Sequence, residues 1–225
     1  MRIYFVRHGE TEYSRTRTHQ PPDMGLTERG KNQARAAAKV LMDLPQPLLI
    51  TSDYERARET ADIIGKMIGS IPQEEPLFRE MRRPQSLFGM AYYGFHSITV
   101  GIQLILHAPY ATWHYADEEN FHEVRVRAHD AIKYLESLAE RYEHVIVVSH
   151  AVFLSLLFSQ FKRGKISIFS YLRAILKFVQ LANGSISYVT CECSLGKCEW
   201  KSDLINDRRH LKEVKSESIS EEGNV

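Results

Sequence analysis

The chain has no apolar stretch long enough to cross a bilayer. Its most apolar region, Val152 to Leu181, is broken by Gln160, Lys162, Arg163, Lys165, Arg173 and Lys177, whereas a spanning helix needs about 20 apolar residues in succession. A surplus of either charge is also missing. The 29 Lys and Arg against 28 Asp and Glu leave a formal net charge of +1, so no global field draws nucleic acid or an anionic lipid surface. Cysteine is scarce, and Cys191, Cys193 and Cys198 lie close together near the carboxyl end. Their number and spacing suit neither a disulfide framework nor a four-ligand zinc site, so a reduced, cytoplasmic protein is expected. Met1-Arg2 runs into an apolar segment without the charged and apolar regions of a secretory signal, and Ser and Arg are not enriched as in a transit peptide.

What is present is a repeated local pattern. Ile3-Tyr4-Phe5-Val6 is too short for a helix and rich in β-branched and aromatic residues, and Arg7-His8-Gly9-Glu10-Thr11 follows it directly. Leu48 to Thr51 repeats the design and leads to Ser52 and then Arg56 and Arg58 in the first turn of an expected helix. Val145 to Val148 is the third run and ends in Ser149-His150. In open α/β sheets ligands bind beyond the carboxyl ends of the strands. Three parallel, adjacent strands with helical crossovers therefore bring Arg7, His8, an arginine from 56 to 58, and His150 to one edge, where two imidazoles and two guanidinium groups suit an anion.

At these residues the chain resembles the histidine phosphatase superfamily, also called phosphoglycerate mutase-like. Residues 7–11 match that family's Arg-His-Gly-x-Thr, Leu26-Thr27-Glu28-Arg29-Gly30 its Leu-Thr-x-x-Gly, and Ser52, Arg56-Ala57 and Thr60-Ala61 its second arginine motif. Ser149-His150 matches its late Ser-His, and Asn206-Asp207-Arg208-Arg209-His210-Leu211 its terminal segment. The resemblance runs in order from residue 3 to about residue 211. It implies His8 as nucleophile, Arg7, Arg56 and His150 as donors to the phosphoryl oxygens, and Glu80, after Leu77-Phe78-Arg79, as the proton donor. It also selects Arg56 over Arg58. Ser14 stands where the family commonly has asparagine and is expected to donate to a phosphate oxygen with shorter reach. Glu10 and Glu12 are the alternative acids by proximity in sequence. The family's Phe-Gly-x-Trp-Glu-Gly continuation is missing, so substrate assignments from branches that carry it do not transfer.

The expected architecture is α/β, a three-layer α/β/α sandwich with a mostly parallel mixed sheet and an inserted cap subdomain. One domain spans 1–211 with the cap at 71–117, and residues 212–225, where charge and serine dominate, are expected to be disordered. Residues 9–25 read as a long loop over the site. Helices are expected after Thr27, after Ser52, over Glu118–Tyr142 and after His150, the last apolar nearly all round and the most buried. Lys177–Leu181 and Ser185–Thr190 flank Asn183-Gly184 as a hairpin, with Glu199–Lys201 as an edge strand. The segment 71–117 is rich in aromatic side chains and holds His96, His107 and His114, whose spacings offer no helical pair of metal ligands.

The expected function is a metal-independent phosphomonoesterase working through a phosphohistidine, with no cofactor and a phosphorylated small molecule as partner. A phosphoglycerate mutase uses the same residues, and a phosphate-binding module without turnover is the third reading. Neither nucleic acid nor membrane is an expected partner, and a homodimer is compatible with the sequence.

Overall fold

The computed structural model describes residues 1–176, 181–194, 197–212 and 214. Its centre is a six-stranded sheet in the order β3-β2-β4-β1-β5-β6, where β1 is Arg2–Arg7, β2 Leu48–Thr51, β3 Gln73–Glu74, β4 His144–Ser149, β5 Ile186–Ser194 and β6 Lys197–Asp207. The first four strands are parallel, and β5 and β6 are antiparallel additions beside β1. Thus β4 sits between β1 and β2, and the three chemically matched strand ends are neighbours.

The alternation of side chains along each strand explains the layers. Ile3, Phe5, Ile50, Val145 and Val147 point to one face, where they pack with α5 (Phe121–Leu138) and α6 (Ala151–Arg163). Tyr4, Val6, Leu49, Ile146 and Val148 point to the other and meet α2 (Glu28–Leu41) and α3 (Glu55–Ile68). Buried Ala34, Ala37 and Ala38 of α2 and Ala57 and Ala61 of α3 let these helices lie close to the strands. Seven buried residues on α6 make it a core helix, as its all-round apolar sequence requires.

Several boundaries differ from the sequence reading. The loop expected over 9–25 contains a short helix, α1 (Glu12–Thr16), because Thr11 and Ser14 form a reciprocal capping box. The helix expected from Glu118 starts at Phe121, where Asn120 and Glu123 form a second such box, and ends at Leu138. The region expected as a cap from residue 71 begins inside the main fold: β3 pairs with β2, and Phe78 and Met81 belong to the central core. A separate small cluster appears only later, with Leu87 packed on Val100 and Leu104 of α4 (Phe95–His107).

The first strand of the hairpin expected about Asn183-Gly184 falls almost wholly outside the described residues. Residues 177–180 lie outside the described residues, as does most of the tail expected to be disordered, and Asn183-Gly184 makes the turn that enters β5. The observed hairpin joins β5 to β6, which contains Glu199–Lys201. This pairing also corrects the cysteine expectation. The register sets Cys193 opposite Cys198, where they form a disulfide, while Cys191 is a buried free thiol. Cross-strand register is not readable from cysteine spacing. Among the described residues, no helix is long and apolar enough to span a membrane.

Candidate active site

The end of β1 is fixed from three sides. His8 N–H donates to the Ser149 carbonyl of β4 at 3.0 Å, Arg7 N–H to the Ser185 carbonyl at 3.1 Å, and Gly9 N–H to Thr60 Oγ1 at 3.0 Å. A Cβ on Gly9 would lie 2.4 Å from the Gly30 carbonyl oxygen, and one on Gly30 would lie 2.1 Å from that of Glu10. Two glycines from separate motifs are therefore required for one backbone contact, in which Thr27 N–H also donates to the Glu10 carbonyl. The Asn183 side chain donates to the His8 and Gly9 carbonyls at 3.2 and 3.1 Å, and Gly184 N–H to those of Arg7 and His8. Gly184 has φ +71°, a left-handed conformation suited to glycine.

This frame orients the His8 ring. Its Nδ1 lies 2.7 Å from the Gly9 carbonyl oxygen, which can only accept, so Nδ1 carries the proton and Nε2 keeps its lone pair. The rings of His8 and His150 are 5.1 Å apart, and both are buried. His150 Nε2 is 2.8 Å from Ser52 Oγ, while its Nδ1 has no partner among the described residues. The same holds for Nε of Arg7 and Nε of Arg56, which are anchored through NH1 to the Leu181 and Pro21 carbonyls respectively. Buried donors ordinarily find acceptors. Here several converge from three strand ends, the arrangement that an oxyanion with several acceptor oxygens would satisfy.

Burial first, and then the charges of Arg56 and Arg7, hold the His8 imidazole well below its usual range; burial, Arg56, His8 and Arg7 do the same to His150. His8 is thus held in its neutral form. Burial also lowers Arg56 to about 10, which leaves it charged at neutral pH.

Beside this centre is a cavity of about 180 Å³, lined among others by Tyr54, Arg56, Glu80, Tyr92, His19 and Arg83. The Glu80 carboxylate accepts from Val152 and Phe153 N–H at the start of α6, at 3.2 and 3.0 Å, and from Met81 N–H. A helix amino terminus therefore locates it facing the cavity. Arg83, at 2.8 Å from buried Glu118, is held in the cavity wall. On its other side Arg7 borders a larger cleft of about 870 Å³ between α2 and β6.

The family model of the histidine phosphatase superfamily (branch 1) matches residues 3–207. The chain belongs to this superfamily. A protein of Photorhabdus laumondii named "Probable phosphoglycerate mutase" is 42% identical over 82 residues, 36% of this chain and 38% of the relative. Glucosyl-3-phosphoglycerate phosphatase of Mycobacterium tuberculosis is 36% identical over 80 residues, 35% of this chain and 36% of the relative. The matched segment thus spans less than two fifths of either relative. Solved structures agree over much more of the chain. A mycobacterial glucosyl-3-phosphoglycerate phosphatase complexed with VO3 superposes with TM-score 0.72 at 23% identity, over 91% of this chain and 98% of that one. The alpha-ribazole phosphatase of Shigella flexneri gives 0.69 at 21%, over 92% and 97%. At such identities these structures establish the fold.

In this member of the superfamily the structure brings Arg7, His8, Arg56 and His150 together, with Glu80 on the adjoining cavity. Ser14 is placed otherwise: its hydroxyl donates to the Thr11 carbonyl and accepts from Thr11 N–H, so the helix cap uses the proton expected to reach a phosphate. Arg58 pairs with Glu55 and Glu74. Of the alternative acids, Glu10 is held by Thr27 and Arg29, and Glu12 pairs with Arg15 at the surface. The three cap histidines do not converge: His107 stacks on Trp113, and His114 contacts Asn120 and Glu118. Sequence reasoning named Ser52 and Thr60 only as motif matches without a role in the site, and it missed Asn183 as a brace and the Tyr54 ring, which lies under Arg56 with 5.0 Å between guanidinium and centroid. The Asn183-Gly184 pair was visible, but as a turn rather than as a brace for the motif at β1.

The buried imidazoles make stability depend on pH in a definite direction. Above about pH 6.5 they are neutral both folded and unfolded and contribute nothing; below it the unfolded chain takes up protons that the folded chain refuses. Each then costs up to about 1.4 kcal/mol per pH unit until its lowered folded value is reached. His8, His150 and His19, the last lowered to about 4, act in this sense. Glu118, pushed up to about 7 by burial, opposes them because its folded form takes up a proton first. His210, lowered first by burial, adds to the three, and four against one leaves a net loss. We expect calorimetric Tm to fall between pH 7.5 and 5.5 and inorganic phosphate to recover part of the fall; a Tm that is flat over this window contradicts the assignment.

Proposed function

We propose that this protein is a phosphomonoesterase that hydrolyses a phosphate ester of a small organic molecule through a phosphohistidine at His8. The observation that carries this reading is the fixed His8 tautomer, with Nε2 unprotonated among Arg7, Arg56 and His150. His8 Nε2 attacks phosphorus as the bond to the leaving oxygen breaks. Arg7, Arg56 and His150 donate to the equatorial oxygens, and Glu80, protonated, gives its proton to the leaving alkoxide. Glu80 as carboxylate then takes a proton from water, whose oxygen attacks the phosphohistidine and releases phosphate, restoring His8.

The cavity volume favours a small alcohol portion, and the Tyr54 and Tyr92 rings favour one with apolar surface. The test is turnover of p-nitrophenyl phosphate and a panel of phosphorylated metabolites in the presence of a chelator. Release of phosphate supports the reading; phosphate binding without turnover of any substrate would make the protein a binding module. The mutase reading has one observation in its favour, the name of the Photorhabdus relative. Phosphoglycerate isomerisation that depends on a bisphosphorylated primer would establish it instead.

A further inference from the structure

The most anomalous surface lies away from the chemistry. A quarter of the chain's residues are charged, yet no Asp, Glu, Lys or Arg occurs from Pro84 to Ala116. Within this segment α4 buries Ser97, Val100 and Leu104 and turns Phe95, Ile98, Ile102 and Leu106 outward at helical spacing, with Tyr93 before them and Tyr110 after. These six side chains are between 49% and 89% exposed. Three are aromatic, and an aromatic side chain can bury ~150–250 Å². The face therefore exceeds the ~300–600 Å² of the largest apolar patch on a typical monomer and approaches the ~800 Å² per partner of a standard protein interface.

Gly101 adds an independent sign. Glycine weakens a helix interior, yet a Cβ at this position would meet nothing within 4 Å, so packing inside the chain does not call for it. It flanks the stripe, one turn from Ile98 and Ile105, where a missing side chain permits close approach of another helix.

We infer that this face is the interface of a homodimer in which α4 packs against α4 of a second copy about a two-fold axis near Ile102. A two-fold contact must be complementary to itself. A face without formal charge of either sign meets its own image without repulsion, and the middle of a protein interface is where charge is depleted and aromatic residues are enriched. A lipid surface fits less well, because an interfacial helix carries Lys and Arg on its polar face, and α4 has neither. The carboxyl-terminal sequence, Lys215 to Val225, is polar and charged and offers no apolar cover.

The test is sedimentation of the full chain at micromolar concentration. The expected mass is twice the 26.0 kDa of one chain. Ile102→Glu places two carboxylates against each other at the axis and raises the dimer dissociation constant by about 100-fold or more, with circular dichroism and aryl phosphate hydrolysis retained. Gly101→Leu weakens the dimer in the same assay, whereas Phe169→Glu, on exposed apolar surface of α7 (Ile168–Leu176), leaves it intact. Under mild oxidant Ile102→Cys crosslinks to its own copy and Phe95→Cys does not. A monomeric native chain overturns the inference, as does a dimer that survives Ile102→Glu or crosslinking at position 95 alone. Binding of the native monomer to phosphatidylcholine vesicles, lost in Ile102→Glu, assigns the face to lipid and overturns it equally.

Discussion

His8→Ala lowers kcat for p-nitrophenyl phosphate by at least about 10⁴-fold, because it removes the atom that accepts the phosphoryl group rather than one that stabilises the transfer. The remaining donors still bind phosphate, so affinity for inorganic phosphate changes far less than turnover. His8→Gln serves as a second variant, since an amide can keep a hydrogen bond to the Gly9 carbonyl that His8 Nδ1 makes in the native protein. The matching result in the wild type is a phosphoenzyme, trapped by alkaline quench, stable in alkali and lost in acid, and absent from both variants. Rates in either variant close to the wild type would remove His8 from the mechanism, and a phosphoenzyme that persists in them would place the nucleophile elsewhere.

Glu80→Gln separates leaving groups. An alkoxide needs a proton as it departs, so kcat/KM for an alkyl phosphate such as glycerol phosphate falls by about 10³-fold, within the range for loss of a general acid. The p-nitrophenolate anion leaves unaided, and kcat/KM for its phosphate ester falls by less than about 10-fold. Dephosphorylation of His8 also needs Glu80, as base toward water, so the aryl substrate should produce a burst followed by slow turnover. Glutamine keeps a carbonyl oxygen for the start of α6, where the Glu80 carboxylate accepts from Val152 and Phe153 N–H. Those two N–H groups bind different oxygens of Glu80, so the amide NH2 faces one of them, and an unchanged affinity for inorganic phosphate is the control that separates loss of the proton from loss of placement. An equal loss for both esters would mean that Glu80 positions the substrate without supplying a proton.

The two variants test different statements about the same centre. His8 depends on backbone geometry at the end of β1, and Glu80 on a segment that folds over β4 and touches α6. Aryl hydrolysis that disappears in His8→Ala but responds to Glu80→Gln independently of the leaving group would retain the phosphohistidine and return the search for the acid to the cavity wall. Besides Glu80 the carboxylate that lines this cavity is Asp117, whereas Glu118 pairs with Arg83 and is wholly buried.

The sheet core and the identity of the central residues were legible in the order of amino acids alone. Four-residue apolar runs at 3–6, 48–51 and 145–148 can be buried only as strands, and crossover helices constrain such strands to lie parallel, so the residues at their carboxyl ends must meet at one edge. His8, Arg7, His150 and one arginine from 56 to 58 could be read for that reason, and the resemblance to the superfamily chose Arg56. Contacts between distant segments settled the rest: the His8 tautomer set by how the chain turns at Gly9, the Asn183-Gly184 brace, the diversion of Ser14 into a helix cap, and the cross-strand bond between Cys193 and Cys198. Hydrophobic periodicity reports which side of an element faces the core. It carries no information about which polar atom a distant backbone group will reach, because that is fixed only when the packed layers set their separation and register.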